Sequence, residues 1–153
     1  MIFYCDTSAL IKRYSVETGS QWLINLCDPK TGNTIFTTTV TKVEAAAALA
    51  SKRRQKILSA RVYQQTLADL AQDFAHEYML VPVDVTLIEA AVLLTTRQRL
   101  RGYDAVQLAA AKTIQATLSA AQLSPLIFLS ADTDLIAAAQ NEGLLTDNPN
   151  LYP

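Results

Sequence analysis

The stretch that decides the fold is IFYCDTSAL, residues 2–10. Four residues suited to a buried strand run directly into Asp6, then into Thr7 and Ser8, then into an apolar segment with helical character. A short apolar run bounded by a cap-forming residue reads as a core strand. The same pattern recurs at TIFTTT (34–39), MLVPV (79–83) and LIFLS (126–130). Alanine-rich helical segments lie between these runs, among them KVEAAAALASKRRQ, SARVYQQTLADLAQDFAHEY, TLIEAAVLLTTRQRL and DAVQLAAAKTIQATLSAAQ. Strands that alternate with helices predict a parallel sheet sandwiched by α-helices, an α/β fold. In such sheets the strand-to-helix connections gather at the carboxyl ends of the strands, where ligands bind. Within 59–78, Val62, Leu67, Leu70 and Phe74 recur near helical spacing and predict one buried face. The helix TDLIAAAQNEG is expected to end at Gly143, and LTDNPNLYP reads as a tail or an irregular return.

Composition agrees with a compact enzyme-sized unit. The chain has 153 residues, half of them hydrophobic and 18% charged, with a net charge of −1. That is enough to bury a core, and residues 1–153 are read as one domain. No apolar run suggests a membrane span, and no basic region precedes the first apolar stretch, so the expected location is cytoplasmic. Cys5 and Cys27 are too few for a disulfide framework or a thiolate metal site. His76 lies near a helix end, and no Ser-His-Asp or Cys-His set suggests itself around it. Four glycines leave no room for a phosphate-binding loop.

The acids then stand out. Asp6 follows the first strand and is a natural helix N-cap. Glu44 lies three residues after Thr41, the spacing of a capping box. Asp104 follows a glycine break and suits the first turn of a helix. Asp132 follows the last core strand, where Ser130, Asp132 or Asp134 can cap the next helix. A parallel sheet brings at least three of these acids to one edge. A carboxylate pair at about 4 Å costs on the order of 4 kcal/mol at an effective dielectric near 20. A helix dipole returns at most about 2 kcal/mol. A divalent cation would offset the rest, and all-oxygen donors favour Mg²⁺ or Mn²⁺. Basic residues cluster in spite of the neutral total. Lys52, Arg53, Arg54 and Lys56 form one run, and Arg97, Arg99 and Arg101 another directly before Asp104. Each is either a solvated helix face or a rim of phosphate contacts. Arg101, Arg13, Lys42 and Arg53 are the candidates for phosphate contact. Leu10, Tyr14, Trp22 and Leu26 either line a groove for a partner helix or belong to the core.

Four blocks, FYCDTSALIKRY, TTTVTKVEAAAAL, LRGYDAVQLAAA and FLSADTDLIAAAQNEGL, together resemble PIN-domain proteins, most closely the VapC-type toxin ribonucleases of toxin–antitoxin systems. The blocks fall in the family's order across nearly the whole chain. The resemblance implies a PIN-like fold and an Mg²⁺- or Mn²⁺-dependent endoribonuclease masked by a paired antitoxin, in a homodimer. It implies metal-binding and catalytic roles for Asp6, Glu44, Asp104 and Asp132, supported from a second layer by Thr7, Ser8, Ser130 and Asp134. A PIN-fold RNA-processing nuclease without a toxin role, or an inactive PIN-like binding module, are the alternatives. Many relatives carry a histidine where this chain has Gln107.

Overall fold

The computed structural model describes residues 1–152. Five strands form one parallel sheet: β1 (Ile2–Cys5), β2 (Thr34–Thr38), β3 (Tyr78–Val81), β4 (Ile127–Leu129) and β5 (Leu145–Asp147), in the order β3-β2-β1-β4-β5. Seven α-helices connect them: α1 (Thr7–Leu10), α2 (Ser20–Leu26), α3 (Thr39–Arg54), α4 (Ala60–His76), α5 (Val85–Thr95), α6 (Gly102–Ala120) and α7 (Thr133–Asn141). None of these helices is long and apolar enough to cross a membrane.

The inner strands β1, β2 and β4 are covered on both faces, as a sandwiched parallel sheet requires, whereas the edge strands β3 and β5 expose Met79, Leu80 and Leu145. On β1 the side chains alternate with period two. Phe3 and Cys5 enter one core with Leu10, Leu23, Leu49, Leu70 and Phe74, which is the side of α1–α4. Tyr4 enters the other with Leu87, Leu108, Leu118 and Leu135, the side of α5–α7. Registers carry the alternation sideways: Phe3 sits beside Ile35 and Ile127, and Tyr4 beside Phe36 and Phe128. The Tyr4 and Phe128 rings stack at 5.5 Å.

Topology places a crevice. From β1 the chain leaves toward β2, and from β4 it leaves toward β5, on opposite sides of the sheet. The connections that leave the paired neighbours β1 and β4 therefore diverge at the carboxyl ends, the switch point at which open α/β sheets bind ligands. Asp6 follows β1 there, and Ser130 follows β4.

Three sequence expectations need correction. The C-terminal stretch is regular as far as it is described: Leu145–Asp147 pairs with β4, and a 3₁₀ turn at Pro149–Leu151 packs against α2, while Pro153 lies outside the described residues. Tyr152 stacks on Trp22 at 4.2 Å, and a Cβ on Gly19, which has φ of 87°, would collide with the Pro149 carbonyl. Three residues after a helix gave too little apolar pattern to announce a strand. On α4, Leu70 and Phe74 are buried but Val62 is 48% exposed, so the buried stripe is shorter than its spacing suggested. Thr41 and Glu44 form no capping box, because α3 begins two residues before Thr41 and has no side-chain cap. The expectation of α7 ending at Gly143 holds: Glu142 is the C-cap and Gly143 follows with φ of 84°.

Candidate active site

Asp6 is the buried floor of the crevice. It is 4% exposed. Its backbone N–H donates to the Leu129 carbonyl, which ties the end of β1 to β4. The side chain caps α1, accepting from the Ala9 N–H at 2.8 Å. It also accepts from Ser8 Oγ at 2.9 Å on both oxygens and from Ser130 Oγ at 2.9 Å. Capping and site membership, alternatives in the sequence, thus coincide. All three donors are neutral. Burial pushes the carboxyl up to about 6, against these hydrogen bonds, which favour the ion. Ser8 in turn accepts from the Ala131 N–H at 2.8 Å, and Ser130 from the Asp132 N–H at 3.0 Å. The two serines lace the ends of β1 and β4 together around one carboxylate.

Glu44 stands beside this floor. The Thr7 hydroxyl and Gln107 Nε2, the latter at 3.0 Å, both donate to its Oε2. Above lies an open cleft of 390 Å³ lined by Arg99, Leu100, Arg101, Asp104, Asp132, Asp134 and Leu135. Asp104 sits in the first turn of α6, where the helix dipole favours an acid. Its carboxyl is nonetheless raised, first by burial, then by Asp132 and, more weakly, by Glu44. Asp132 caps α7, accepting from the N–H groups of Asp134 and Leu135 at 2.8 and 3.2 Å. Asp134 is exposed on the same cleft wall.

The candidate acids therefore occupy two levels at one sheet edge: Asp6 and Glu44 among hydroxyl and amide donors, Asp104, Asp132 and Asp134 on the cleft wall. The donor chemistry fits a hard dication, since every available ligand atom is oxygen and Asp132 and Glu44 raise the Asp104 carboxyl. They are not closed into a cage: among the described residues, no three His, Cys, Asp or Glu side chains are gathered closely enough to hold a metal as they stand.

The basic candidates divide. Arg101 and Arg99 line the cleft. Arg13 does not: it donates to the Tyr78 hydroxyl at 2.8 Å and pairs with Glu77 at 2.6 Å and Asp73 at 3.3 Å, at the amino end of β3. Lys42 rests over the Phe74 ring of α4. Arg53 is nine residues beyond Glu44 on α3, about 13 Å further along the axis, and Lys52 pairs with Glu17. Leu10 and Leu26 are core residues, Tyr14 is bonded to Asp73 and Tyr78, and Trp22 is half-buried under Tyr152, so the four form no common groove. His76 is the exposed last residue of α4.

The residue that spacing did not single out as part of the site is Gln107. It is 2% exposed on α6, one turn after Asp104, and bonds to Glu44, Thr41 and Tyr4. A glutamine inside an apolar helical face was its one visible signal.

Solved structures share this architecture. FitAcB from Neisseria gonorrhoeae aligns over 97% of this chain and 98% of its own, with a TM-score of 0.66 and 15% identity. VapC20 from Mycobacterium tuberculosis, a sarcin–ricin loop cleaving toxin, aligns over 100% of both chains, with a TM-score of 0.62 and 17% identity. VapBC2 from Rickettsia felis, solved with a promoter DNA fragment, aligns over 97% of this chain and 98% of its own, at 0.58 and 12%. Among curated protein sequences none is a significant match. At these identities the likeness is one of fold, and the sequence itself carries the family: residues 3–141 match the PIN domain model, and the chain belongs to the PIN-domain family.

Proposed function

We propose that this PIN domain is an Mg²⁺- or Mn²⁺-dependent endoribonuclease, the toxin of a toxin–antitoxin pair. The observation that carries the reading is Asp6: a buried carboxylate at the switch point, held only by neutral donors and lying with Glu44, Asp104 and Asp132 at one sheet edge. Burial pushes this carboxyl up to about 6, so its ionised form costs folding stability at neutral pH. Asp104 and Asp132, with Asp6 and Glu44, would hold the dication. When bound, it supplies Lewis acidity toward the phosphodiester and its water nucleophile. The chain's own contributions are separate. Ser8 and Ser130 hold Asp6, Thr7 holds Glu44, and Asp134 adds negative charge to the cleft wall. Arg99 and Arg101 present cations to the phosphate backbone beside the acids. A paired antitoxin belongs to this reading and is supported by the likeness to the VapBC2 assembly; a homodimeric state and a cytoplasmic location complete the proposal as the family resemblance implies them.

A second reading, a PIN-fold module that binds RNA without cutting it, has in its favour that no three acids are gathered closely among the described residues. Cleavage of total RNA, followed while Mn²⁺ or Mg²⁺ is titrated into the chelated protein, decides between them. Metal-dependent fragments with defined ends are expected. RNA that binds and stays intact at millimolar Mn²⁺ would leave the module. Growth arrest on expression, relieved by the product of an adjacent gene, separates a toxin from an RNA-processing nuclease.

A further inference from the structure

Beneath the cleft, the polar side chains of β1, β2, α3 and α6 form a chain whose hydrogen-bond directions follow from their chemistry. The Tyr4 hydroxyl, wholly buried, donates to Gln107 Oε1 at 2.7 Å. The other end of the amide must then be Nε2, which donates to Thr41 Oγ1 at 2.9 Å and to Glu44 Oε2 at 3.0 Å. A second, independent path gives the same direction. Thr37 donates to the Cys5 carbonyl, which only accepts, at 2.9 Å. The 2.9 Å contact between the Thr37 and Thr41 hydroxyls then needs the Thr41 hydrogen, so Thr41 donates to Thr37 and its oxygen is left to accept from Gln107. A flipped amide would set Oε1 against the Glu44 carboxylate, two acceptors facing each other in a buried place.

We propose that Gln107 is a positioning residue of the nuclease site: Tyr4 sets the direction of its amide, and the amide, with Thr7, pins Glu44 through Oε2. The inference rests on the function proposed above. Both donors fall on one oxygen, and no donor to Oε1 is present among the described residues. Glu44 is thus held by one oxygen and offers the other. Gln107 also lies three residues after Asp104, on the same face of α6. The helix that carries an acid on the cleft wall therefore carries the support of a second acid from α3.

A volume-filling role makes different predictions from a positioning one, so the test uses shape-matched variants. Gln107→Met keeps the volume and removes the N–H. Gln107→His keeps one donor and one acceptor. Tyr4→Phe leaves Gln107 in place and removes what sets its direction. Metal-free protein is examined first, by hydrogen exchange of the Gln107 carboxamide in ¹⁵N NMR. Its protons are expected to exchange at least tenfold more slowly than a solvated amide in the parent, and to lose most of that protection in Tyr4→Phe. Mn²⁺ affinity by calorimetry and RNA cleavage come second. Gln107→Met should bind Mn²⁺ about tenfold more weakly and lose about tenfold in kcat at unchanged KM. Gln107→His should recover most of both. Parent-like exchange in Tyr4→Phe, or parent-like Mn²⁺ binding and kcat in Gln107→Met, would overturn the inference. A parent that takes up no Mn²⁺ and cuts no RNA sinks the functional reading and the role in cleavage with it, while the exchange measurement still decides the amide's direction.

Discussion

Asp6 and Glu142 are both acids with a full set of hydrogen-bond donors, and they sit at opposite extremes. Glu142, the C-cap of α7, accepts from Lys112, from Gln98 at 3.0 Å and from Arg97 at 3.2 Å. Lys112 first, then Gln98 and Arg97, pull its carboxyl down to about 2. Asp6 accepts from two serine hydroxyls and a backbone N–H, and burial leaves it at about 6. Two things differ, and the number of donors is not one of them: Asp6 is deeply buried, and its donors carry no charge, whereas Glu142 is bonded by cations. Where the fold needs a carboxylate for its own stability, it places cations of its own against it. At the crevice it supplies dipoles and places Arg99 and Arg101 on the cleft wall rather than against Asp6. Under the proposed function, a carboxylate treated in this way is an acceptor kept for a cation from outside.

The comparison breaks most sharply at the level of activity. Asp6→Asn is expected to cut RNA cleavage by roughly 1,000-fold, about 4 kcal/mol of barrier, with the fold intact. Glu142→Gln should leave cleavage within about twofold. Steady-state assays of the two variants side by side check this, and equal losses would show that the two acids do not differ in kind.

The pH dependence of stability comes next, and the two acids have opposite signs. The Asp6 carboxyl is raised from 3.8 to about 6 on folding. Its contribution is fully present below the unfolded value and is lost as pH rises through the folded one. Metal-free protein should gain about 3 kcal/mol from this group between pH 7.5 and 3.5, a gain absent in Asp6→Asn. Mn²⁺ should oppose that gain, because a bound dication favours the ionised form. Glu142 is lowered from 4.5 to about 2, so its contribution is present above the unfolded value and is lost as pH falls through 2. Its partners are partly exposed, and solvent screening leaves about 1 kcal/mol, read as the stability deficit of Glu142→Gln at pH 7. Urea unfolding across the pH range measures both.

How much of this was legible in the sequence follows from which forces act locally. The strands that open the fold announce themselves, because a buried parallel strand is a run of apolar residues with a cap at its end, as IFYC before Asp6 shows. Asp6, Asp104 and Asp132 were legible for the same reason, each being tied to the start of a helix. β5 was not, since its three residues are held by pairing with β4 and by the Trp22–Tyr152 stack, both set by distant parts of the chain. The Thr41–Glu44 spacing misled because Gln107 and Thr7, remote in sequence, claim Glu44. Arg13 misled likewise: its sequence neighbour is Asp6's helix, but its spatial partners are Asp73, Glu77 and Tyr78. Tertiary contact, not local pattern, decides what a polar side chain touches.

The smallest expected effect probes the one place where the crevice does have cations. Arg101 is exposed at the amino end of α6, three residues before Asp104 on the cleft wall. Its charge acts on the cleft from the surface, unlike the cations bonded directly to Glu142. A surface cation that contacts a single-stranded phosphate should contribute through counterion release, so its removal shows as a changed salt dependence rather than as lost chemistry. Arg101→Gln is expected to raise KM for RNA several-fold at low salt, to leave kcat nearly unchanged, and to reduce the slope of log KM against log salt by about 0.7. Arg13→Gln, at the amino end of the sheet, should leave that slope as it is and act on stability alone. If Arg13 rather than Arg101 carries the salt dependence, the RNA path runs away from the acids, and the crevice is not where the strand is cut.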